Sequence, residues 1–254
     1  MAALDGLLSQ KDGVFLQELV YNLQKANIFS EIETALERLK SLLPFDLFSL
    51  SLIEVNSELE LVDYEQVCSY PGEWKERYLE RKYWLETDVV HLERFKERPM
   101  QVKRWDDIYK SYDLTEEKKE FIGESRDFGL IDGYMYGLNT QRLREASLFT
   151  VSGNPHVMEY NERSRLIIQY ITPYLHGAMV SAKIKNNQNL LTPTQLRVME
   201  LIALGLRTKD IATELEKSER AVEDVVRRAK EALDAHRSTD AVVKLIELGL
   251  ISIR

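Results

Sequence analysis

The stretch 191–251 constrains the fold most, because it predicts four short helices whose starts and ends are marked. A hydroxyl residue able to cap a helix precedes the apolar pattern of each one: Thr192, Thr208, Ser218 and Ser238. Pro193 favours the first helical position, and Gly205 and Gly249 end the first and last helices. The second helix has only about two turns before a tight turn and the third helix. This is the helix-turn-helix layout, and it predicts an all-α domain of four helices.

The residues of this stretch also carry a family resemblance. The segment LTPTQLRVMELIALGLRTKDIATELEKSERAVEDVVRRAKEALDA resembles the GerE-type helix-turn-helix of LuxR-type transcription regulators. The match includes the Leu-Thr-Pro opening, the Asp-Ile-Ala of the second helix and the Gly-Leu-Ile that follows the fourth helix. The chain departs from the family at Ala221 and Ala232, where a threonine and a lysine near phosphates are usual. The resemblance implies a DNA-binding domain over residues 191–254.

The outward side chains of this domain suggest how it meets DNA. We expect Arg227 and Arg228 to contact bases or phosphates, and Lys209 and Arg220 to contact phosphates. The full set of predicted DNA-binding residues is Lys209, Lys217, Ser218, Arg220, Arg227 and Arg228. Eleven Lys and Arg stand against eleven Asp and Glu in residues 190–254, so long-range attraction to the polyanion is weak. Glu223 and Asp224 repel phosphates unless they accept from cytosine amino groups.

Length and composition limit the number of domains and the class of protein. At 254 residues it is long enough for two domains, and its balance of apolar and charged residues is that of a globular protein. The net charge of −8 resides upstream of the helix-turn-helix. A single cysteine, Cys68, excludes internal disulfides, and we see no transmembrane segment or secretory signal. We therefore expect a cytoplasmic protein.

Residues 1–184 predict a separate α/β domain. Helices at 14–43, with Ser30 capping the second, precede strands at 46–55 and 60–69 that are joined by the turn Asn56–Ser57. Further helices at 71–82, 88–96 and 115–129 lead to strands at 131–138 and 146–151 and a helix from 161 to about 183. This order predicts an α/β/α sandwich around a mainly antiparallel sheet, like the PAS- or GAF-like sensor domain of the same family. The polar run 185–189 predicts a linker, which we place at residues 185–190.

Aromatic residues are concentrated in one part of this sensor domain. All three tryptophans lie between residues 74 and 105, and Tyr70, Trp74 and Tyr78 are spaced by four, which places them on one face of a helix and its entry. The pattern resembles the acyl-homoserine-lactone pocket of LuxR-type quorum-sensing receptors. The resemblance implies six ligand-binding residues: Tyr70, Trp74, Tyr78, Asp88, Trp105 and Thr150.

Each polar atom of such a ligand needs a partner once water is removed. Trp74 matches the lactone carbonyl, Tyr70 the amide carbonyl and Asp88 the amide N–H, while Tyr78 and Trp105 pack on the chain and ring. Thr150 offers a hydroxyl. The chain departs from the family at Gly137, where a proline is usual, and in the loop 141–144. We also expect Tyr134 and Tyr136 to add bulk near the pocket, which favours a shorter, aromatic or non-lactone signal.

Two function classes follow from this reading. The first is a homodimeric, ligand-responsive transcription regulator of quorum sensing that binds an acyl-homoserine lactone or a related small signal and an inverted-repeat operator. The alternative is a LuxR-type relative that senses a non-lactone small molecule or a protein partner and binds DNA weakly or not at all. A response regulator is disfavoured because no acidic pair follows a first strand.

An enzyme is disfavoured as well. The four histidines are scattered without metal-ligand spacing, and we find neither a glycine-rich phosphate loop nor a nucleophilic serine motif. The sequence predicts no metal site and no cofactor apart from the small-molecule signal. It also predicts no membrane partner.

Overall fold

The computed structural model describes residues 6–55, 61–85, 87–93, 101–139, 145–156, 158 and 160–251. Its elements follow in chain order: α1 (Gln10–Lys25), α2 (Phe29–Leu39), β1 (Leu47–Val55), β2 (Leu61–Cys68), α3 (Gly72–Glu80), α4 (Val89–Glu93), β3 (Lys103–Arg104), α5 (Trp105–Ser111), α6 (Glu116–Asp127), β4 (Asp132–Asn139), β5 (Glu145–Gly153), α7 (Glu162–Asn187), α8 (Pro193–Ala203), α9 (Thr208–Glu214), α10 (Glu219–Ala232) and α11 (Ser238–Glu247). The chain divides into two compact units, Met1–Val180 and Ser181–Arg254.

The first unit is built on one antiparallel sheet with the strand order β2-β1-β5-β4-β3. Side chains alternate between its two faces, and cross-strand partners share a face. One face carries large apolar side chains and is called the α7 face: Phe48, Leu50, Leu52, Phe149 and Val151. The other face, called the Thr150 face, carries the hydroxyl residues Ser49, Ser51, Thr150 and Ser152 together with apolar side chains that include Met135 and Leu148.

Helices cover both faces of the sheet. Ser147 lies on the α7 face, where its hydroxyl is 2.8 Å from Nδ1 of His176 in α7. On the Thr150 face, Lys103 of β3 forms an ion pair of 2.7 Å with Glu93 of α4. The first unit is therefore an α/β/α sandwich around an antiparallel sheet, which confirms the predicted fold class.

The second unit is a bundle of four helices around two hydrophobic clusters. One cluster joins α8, α10 and α11 through Met199, Ala229 and Leu245, all fully buried. The other joins α8, α9 and α10 through residues that include Val198 and Val222. Because α10 contributes to both clusters, its remaining surface turns outward as a charged face. This arrangement confirms the predicted helix-turn-helix unit.

Several predicted helix starts are confirmed and others are wrong by one or two residues. Thr192 and Ser218 cap α8 and α10, where their hydroxyls accept from the backbone N–H three residues ahead. Thr208 and Ser238 instead form the first helical residue, and the N-caps are the residues before them. Ser30 lies within the first turn of α2. A residue type that can cap a helix predicts a nearby helix start, but only to within one or two residues. The first helical residue depends on the backbone conformation.

Two elements were not predicted. β3 has only two residues, and α5 fewer than two turns, so neither is long enough for a periodic apolar pattern to show. The predicted turn Asn56–Ser57 and the loop 141–144 lie outside the described residues. α7 continues through Asn187, so the first part of the predicted polar linker 185–190 is helical. The domain boundary at residue 184 stays a prediction.

Candidate ligand-binding and nucleic-acid-binding sites

A hydroxyl pair joins the end of β2 to the Thr150 face of the sheet. Tyr70, two residues after β2, has its phenol oxygen 2.9 Å from Oγ1 of Thr150 on β5. Thr150 also lies 3.4 Å from the carbonyl oxygen of Ser49 and donates to it in this geometry. Burial raises the pKa of Tyr70, so its phenol stays protonated at neutral pH and can both donate and accept.

A second polar pair joins α3 to the start of α4. The Tyr78 hydroxyl donates to Oδ2 of Asp88 at 2.8 Å. The backbone N–H of His91 donates to Oδ1 of Asp88 at 3.0 Å, so this carboxylate caps the first turn of α4. A carboxylate oxygen has two lone pairs, so each of these oxygens can accept a second donor. Tyr78 thus acts as a hydrogen-bond donor, in addition to the packing role expected from the sequence.

Trp74 lies at the centre of an aromatic cluster. Its ring centroid is 6.1 Å from that of Tyr78, 6.0 Å from Tyr83, 5.7 Å from Phe121 and 5.4 Å from Phe128. Only 2% of the residue is exposed. The cluster packs α3 against α6, and burial together with a hydrogen bond to Glu124 raises the pKa of Tyr83 to about 12. Trp74 therefore has a strong structural role beside any contact with a ligand.

The structure adds one aromatic residue that the sequence reasoning missed. Tyr109 of α5 has a raised pKa because it is buried and because the charge of Asp88 and the phenol of Tyr70 are close. The Tyr109 phenol is therefore within electrostatic range of Asp88 and Tyr70, which are one member of each polar pair. Tyr109 lies four residues after Trp105, on the same helix face. This spacing could have indicated Tyr109 as a site residue, but α5 itself was not predicted.

The polar character of the Thr150 face extends to β2. Gln66 donates to the Ser49 hydroxyl at 2.8 Å, and the hydroxyls of Ser51 and Tyr64 lie 3.3 Å apart. These partners were also not foreseen, because they depend on the register of β1 and β2. The result is a row of hydroxyl and amide groups across the sheet.

The expected position of Tyr134 and Tyr136 near the pocket is wrong. In β4 they pair with Val151 and Phe149, which puts both phenols on the α7 face, and Tyr134 packs on the ring of Tyr160 at 5.3 Å. The β4 residues on the Thr150 face include Met135, the cross-strand partner of Thr150. The bulk of Tyr134 and Tyr136 therefore does not favour a shorter, aromatic or non-lactone signal.

Two hydrogen bonds join four of the six predicted ligand residues as separate pairs, Tyr70 with Thr150 and Tyr78 with Asp88, and Trp74 packs against Tyr78. Trp105 begins α5 and is 5% exposed. Among the described residues no group of three or more His, Cys, Asp or Glu could hold a metal ion.

In the second unit, the predicted DNA-binding residues all lie at the surface: Lys209, Lys217, Ser218, Arg220, Arg227 and Arg228. Two of them have acidic partners on α10. Arg227 pairs with Glu231 at 2.9 Å and with Asp224 at 3.2 Å, and Arg228 lies 3.7 Å from the other oxygen of Asp224. One carboxylate therefore holds both guanidinium groups on the exposed face of α10.

This combination defines a protein class: an α/β sensor domain with a polar, aromatic-lined sector, followed by a helix-turn-helix. The model of the autoinducer binding domain matches residues 29–179, and that of the bacterial regulatory proteins of the luxR family matches residues 189–245. The chain belongs to the LuxR family of transcription regulators that carry an autoinducer binding domain. Such regulators are not enzymes, and they bind an autoinducer signal rather than a cofactor.

Two relatives are similar in sequence. The chain is 27% identical over 195 residues to the y4qH protein of Sinorhizobium fredii, covering 75% of this chain and 58% of that protein. It is 26% identical over 149 residues to RpaR of Rhodopseudomonas palustris, a quorum sensing-dependent transcriptional regulator, covering 58% of this chain and 60% of RpaR. The matches thus span less than two thirds of the length of either relative.

Solved structures support the fold. Escherichia coli SdiA aligns with a TM-score of 0.59 at 17% identity, covering 94% of this chain and 99% of SdiA. CepR2 of Burkholderia cenocepacia aligns with a TM-score of 0.51 at 20% identity, covering 67% of this chain and 95% of CepR2. At these identities the likeness shows the fold alone. Within the described part of the chain, no helix is both long and apolar enough to cross a membrane.

Proposed function

We propose that this chain is a cytoplasmic, homodimeric transcription regulator of quorum sensing. Its first unit binds an acyl-homoserine lactone or a related small signal, and its second unit binds an inverted-repeat operator. The observation that carries the proposal is the pair of hydrogen bonds Tyr70–Thr150 and Tyr78–Asp88, which gather four polar groups beside a buried aromatic cluster.

The chemistry of these groups suits an amide-bearing amphiphile. Asp88 accepts from an amide N–H, and the Tyr70 hydroxyl donates to an amide carbonyl, while buried rings contact an alkyl chain. Two solved relatives support this ligand class. SdiA has been solved in complex with octanoyl-rac-glycerol, and CepR2 is described as N-acylhomoserine lactone dependent. Both descriptions refer to those proteins, and their extension to this chain is our proposal.

Dimer formation is supported by α11. Val243 and Ile246, three residues apart, expose 51% and 38% of their surface although both are apolar. A second copy related by a two-fold axis would cover this stripe and present two α10 helices to half-sites about one DNA turn apart. The proposed operator is therefore an inverted repeat.

Thermal unfolding of the purified full chain tests the proposed signal. A ligand that binds only the folded state stabilises it by about 2.7 kcal/mol at a hundredfold excess over its dissociation constant. We expect an increase in the melting temperature of about 5–10 °C with a medium-length or long-chain acyl-homoserine lactone. Absence of any increase across short, medium and long acyl chains would remove this ligand class.

The ion pairs on α10 favour a second candidate, a relative with a non-lactone signal or a protein partner and with weak or no DNA binding. Arg227 and Arg228 already have acidic partners, and the domain has no net positive charge. Gel shifts at increasing salt separate the candidates. A DNA-binding regulator loses affinity steeply with salt because phosphate contacts displace counterions, whereas the second candidate gives little binding at any salt concentration.

A further inference from the structure

Several buried polar atoms in the first unit have no hydrogen-bond partner among the described residues. Two of them are the indole Nε1–H of Trp105 and the hydroxyl of Ser152. The residues are 5% and 0% exposed, so water does not reach them freely. A buried donor without a partner has lost its hydrogen bonds to water and has gained none within the protein, which costs stability. Such groups are rare in folded proteins and call for a specific explanation.

Strand register brings these two residues into one row. Arg104 of β3 pairs with Tyr134 of β4, and the backbone N–H of Asp106 donates to Oδ1 of Asp132 at 3.3 Å, so the chain runs along β4 through Trp105 and brings this residue close to Gly133. Gly133 in turn pairs with Ser152 of β5. Gly133 is tightly held against β5, because a Cβ atom there would come within 2.1 Å of the carbonyl oxygen of Val151. The row Trp105–Gly133–Ser152 therefore crosses the edge of the sheet as a compact unit.

The row lies on the ligand side of the sheet. Ser152 shares the Thr150 face, two residues beyond Thr150 itself. Lys103 points towards Glu93 of α4, α5 packs against α4, and Trp105 is one of the buried residues of α5, which places Trp105 on the α4 side of the sheet. Trp105 and Tyr109 also share one face of α5.

We propose that Trp105 and Ser152 form a second polar anchor for the signal, with Trp105 Nε1–H donating to a carbonyl oxygen and the Ser152 hydroxyl donating to a further acceptor. The inference rests on the proposed function and goes beyond the packing role that the family resemblance gives Trp105. An indole nitrogen is a donor only, so the ligand atom that it binds must be an acceptor. The lactone carbonyl oxygen has two lone pairs, so it can accept from Trp105 as well as from Trp74, and the ring oxygen of the lactone is a further acceptor for Ser152.

Nuclear magnetic resonance of the full chain with nitrogen-15 labelled tryptophan tests the donor role. Trp74→Phe, Trp84→Phe and Trp105→Phe each remove one of three indole N–H signals and so assign them. The wild-type protein is then titrated with N-octanoyl-homoserine lactone and, separately, with octanoyl-rac-glycerol. We expect the Trp105 indole proton to move downfield on binding, as a proton does when it enters a hydrogen bond.

The outcomes separate this inference from the proposed function. Movement of the Trp74 signal with no movement of the Trp105 signal overturns the anchor and leaves the proposed function in place. If neither probe moves any indole signal or raises the melting temperature, the proposed function fails and the anchor fails with it. Since the titration uses the wild-type chain, the folding of the variants does not affect the result.

Ser152 has a matched control in Ser164 of α7, whose hydroxyl is also fully buried without a partner among the described residues. Ser152→Ala and Ser164→Ala each remove one unpaired hydroxyl, so neither should lower the stability of the ligand-free protein. We expect Ser152→Ala to weaken lactone binding about tenfold, in line with the loss of one buried hydrogen bond, and Ser164→Ala to leave it unchanged. Equal effects of the two variants would contradict the role of Ser152.

Discussion

At the scale of single residues, the candidate pocket depends on hydroxyl groups that are paired across long stretches of sequence. The Tyr70–Thr150 contact joins residues eighty positions apart, and the Tyr78–Asp88 contact joins two helices. The residue types and the spacing by four predicted the aromatic wall. They could not predict Ser152 or Gln66, because the face on which a strand residue lies depends on register, and one shift of register reverses every face.

Tyr70→Phe tests the residue-scale account. It removes the hydroxyl that pairs with Thr150, so we expect the free energy of unfolding to fall by about 1 kcal/mol in urea titrations. The increase in melting temperature with N-octanoyl-homoserine lactone should shrink further, because the proposed amide contact is lost as well. Tyr136→Phe is the control: its phenol is buried on the α7 face, and the lactone response should persist. Equal loss in both variants would contradict the assignment of the faces.

At the scale of elements, local signals predicted most helices but missed α5 and the two-residue strand β3. The capping box of α8 is an example of such a signal, since Thr192 and Gln195 each bind the other's backbone N–H. α5 is too short to be detected by periodicity, yet it carries Trp105 and Tyr109. Two residues of the candidate pocket thus lie on an element that the sequence pattern did not reveal.

The charged face of α10 gives a prediction at the same scale. Asp224 pairs with Arg227 and Arg228, so Asp224→Asn removes a repulsive charge and releases Arg228, while Arg227 keeps its ion pair with Glu231. We expect affinity for a scrambled duplex to rise about fivefold, with a steeper dependence on salt, in fluorescence anisotropy titrations. Affinity for an inverted-repeat duplex selected by the wild-type protein should rise less, so the specificity ratio falls.

Glu223→Gln is the matched control for this experiment. Glu223 is exposed on the same helix and makes no ion pair among the described residues, so the substitution changes the charge equally without releasing an arginine. We expect it to raise non-specific affinity by about twofold, through the change in charge alone. If the two variants behave alike, Asp224 acts only through its charge and does not restrain the arginines.

At the scale of the whole molecule, the chain combines two units with separate cores. The four-helix unit could be predicted almost completely, because its apolar stripes, caps and stops are all local in sequence. The α/β/α architecture could be predicted from the order of helices and strands, but the strand order β2-β1-β5-β4-β3 could not. It depends on pairing between β1 and β5, which lie about ninety residues apart.

The central claim is that this chain is a dimer that holds one small amphiphilic signal in each sensor unit. Native mass spectrometry of the purified full chain with N-octanoyl-homoserine lactone tests it most directly, since one spectrum reports subunit number and bound ligand together. Our account predicts a dimer that carries two lactone molecules at saturation. A monomer, or a dimer that stays ligand-free across short, medium and long acyl chains, would contradict it.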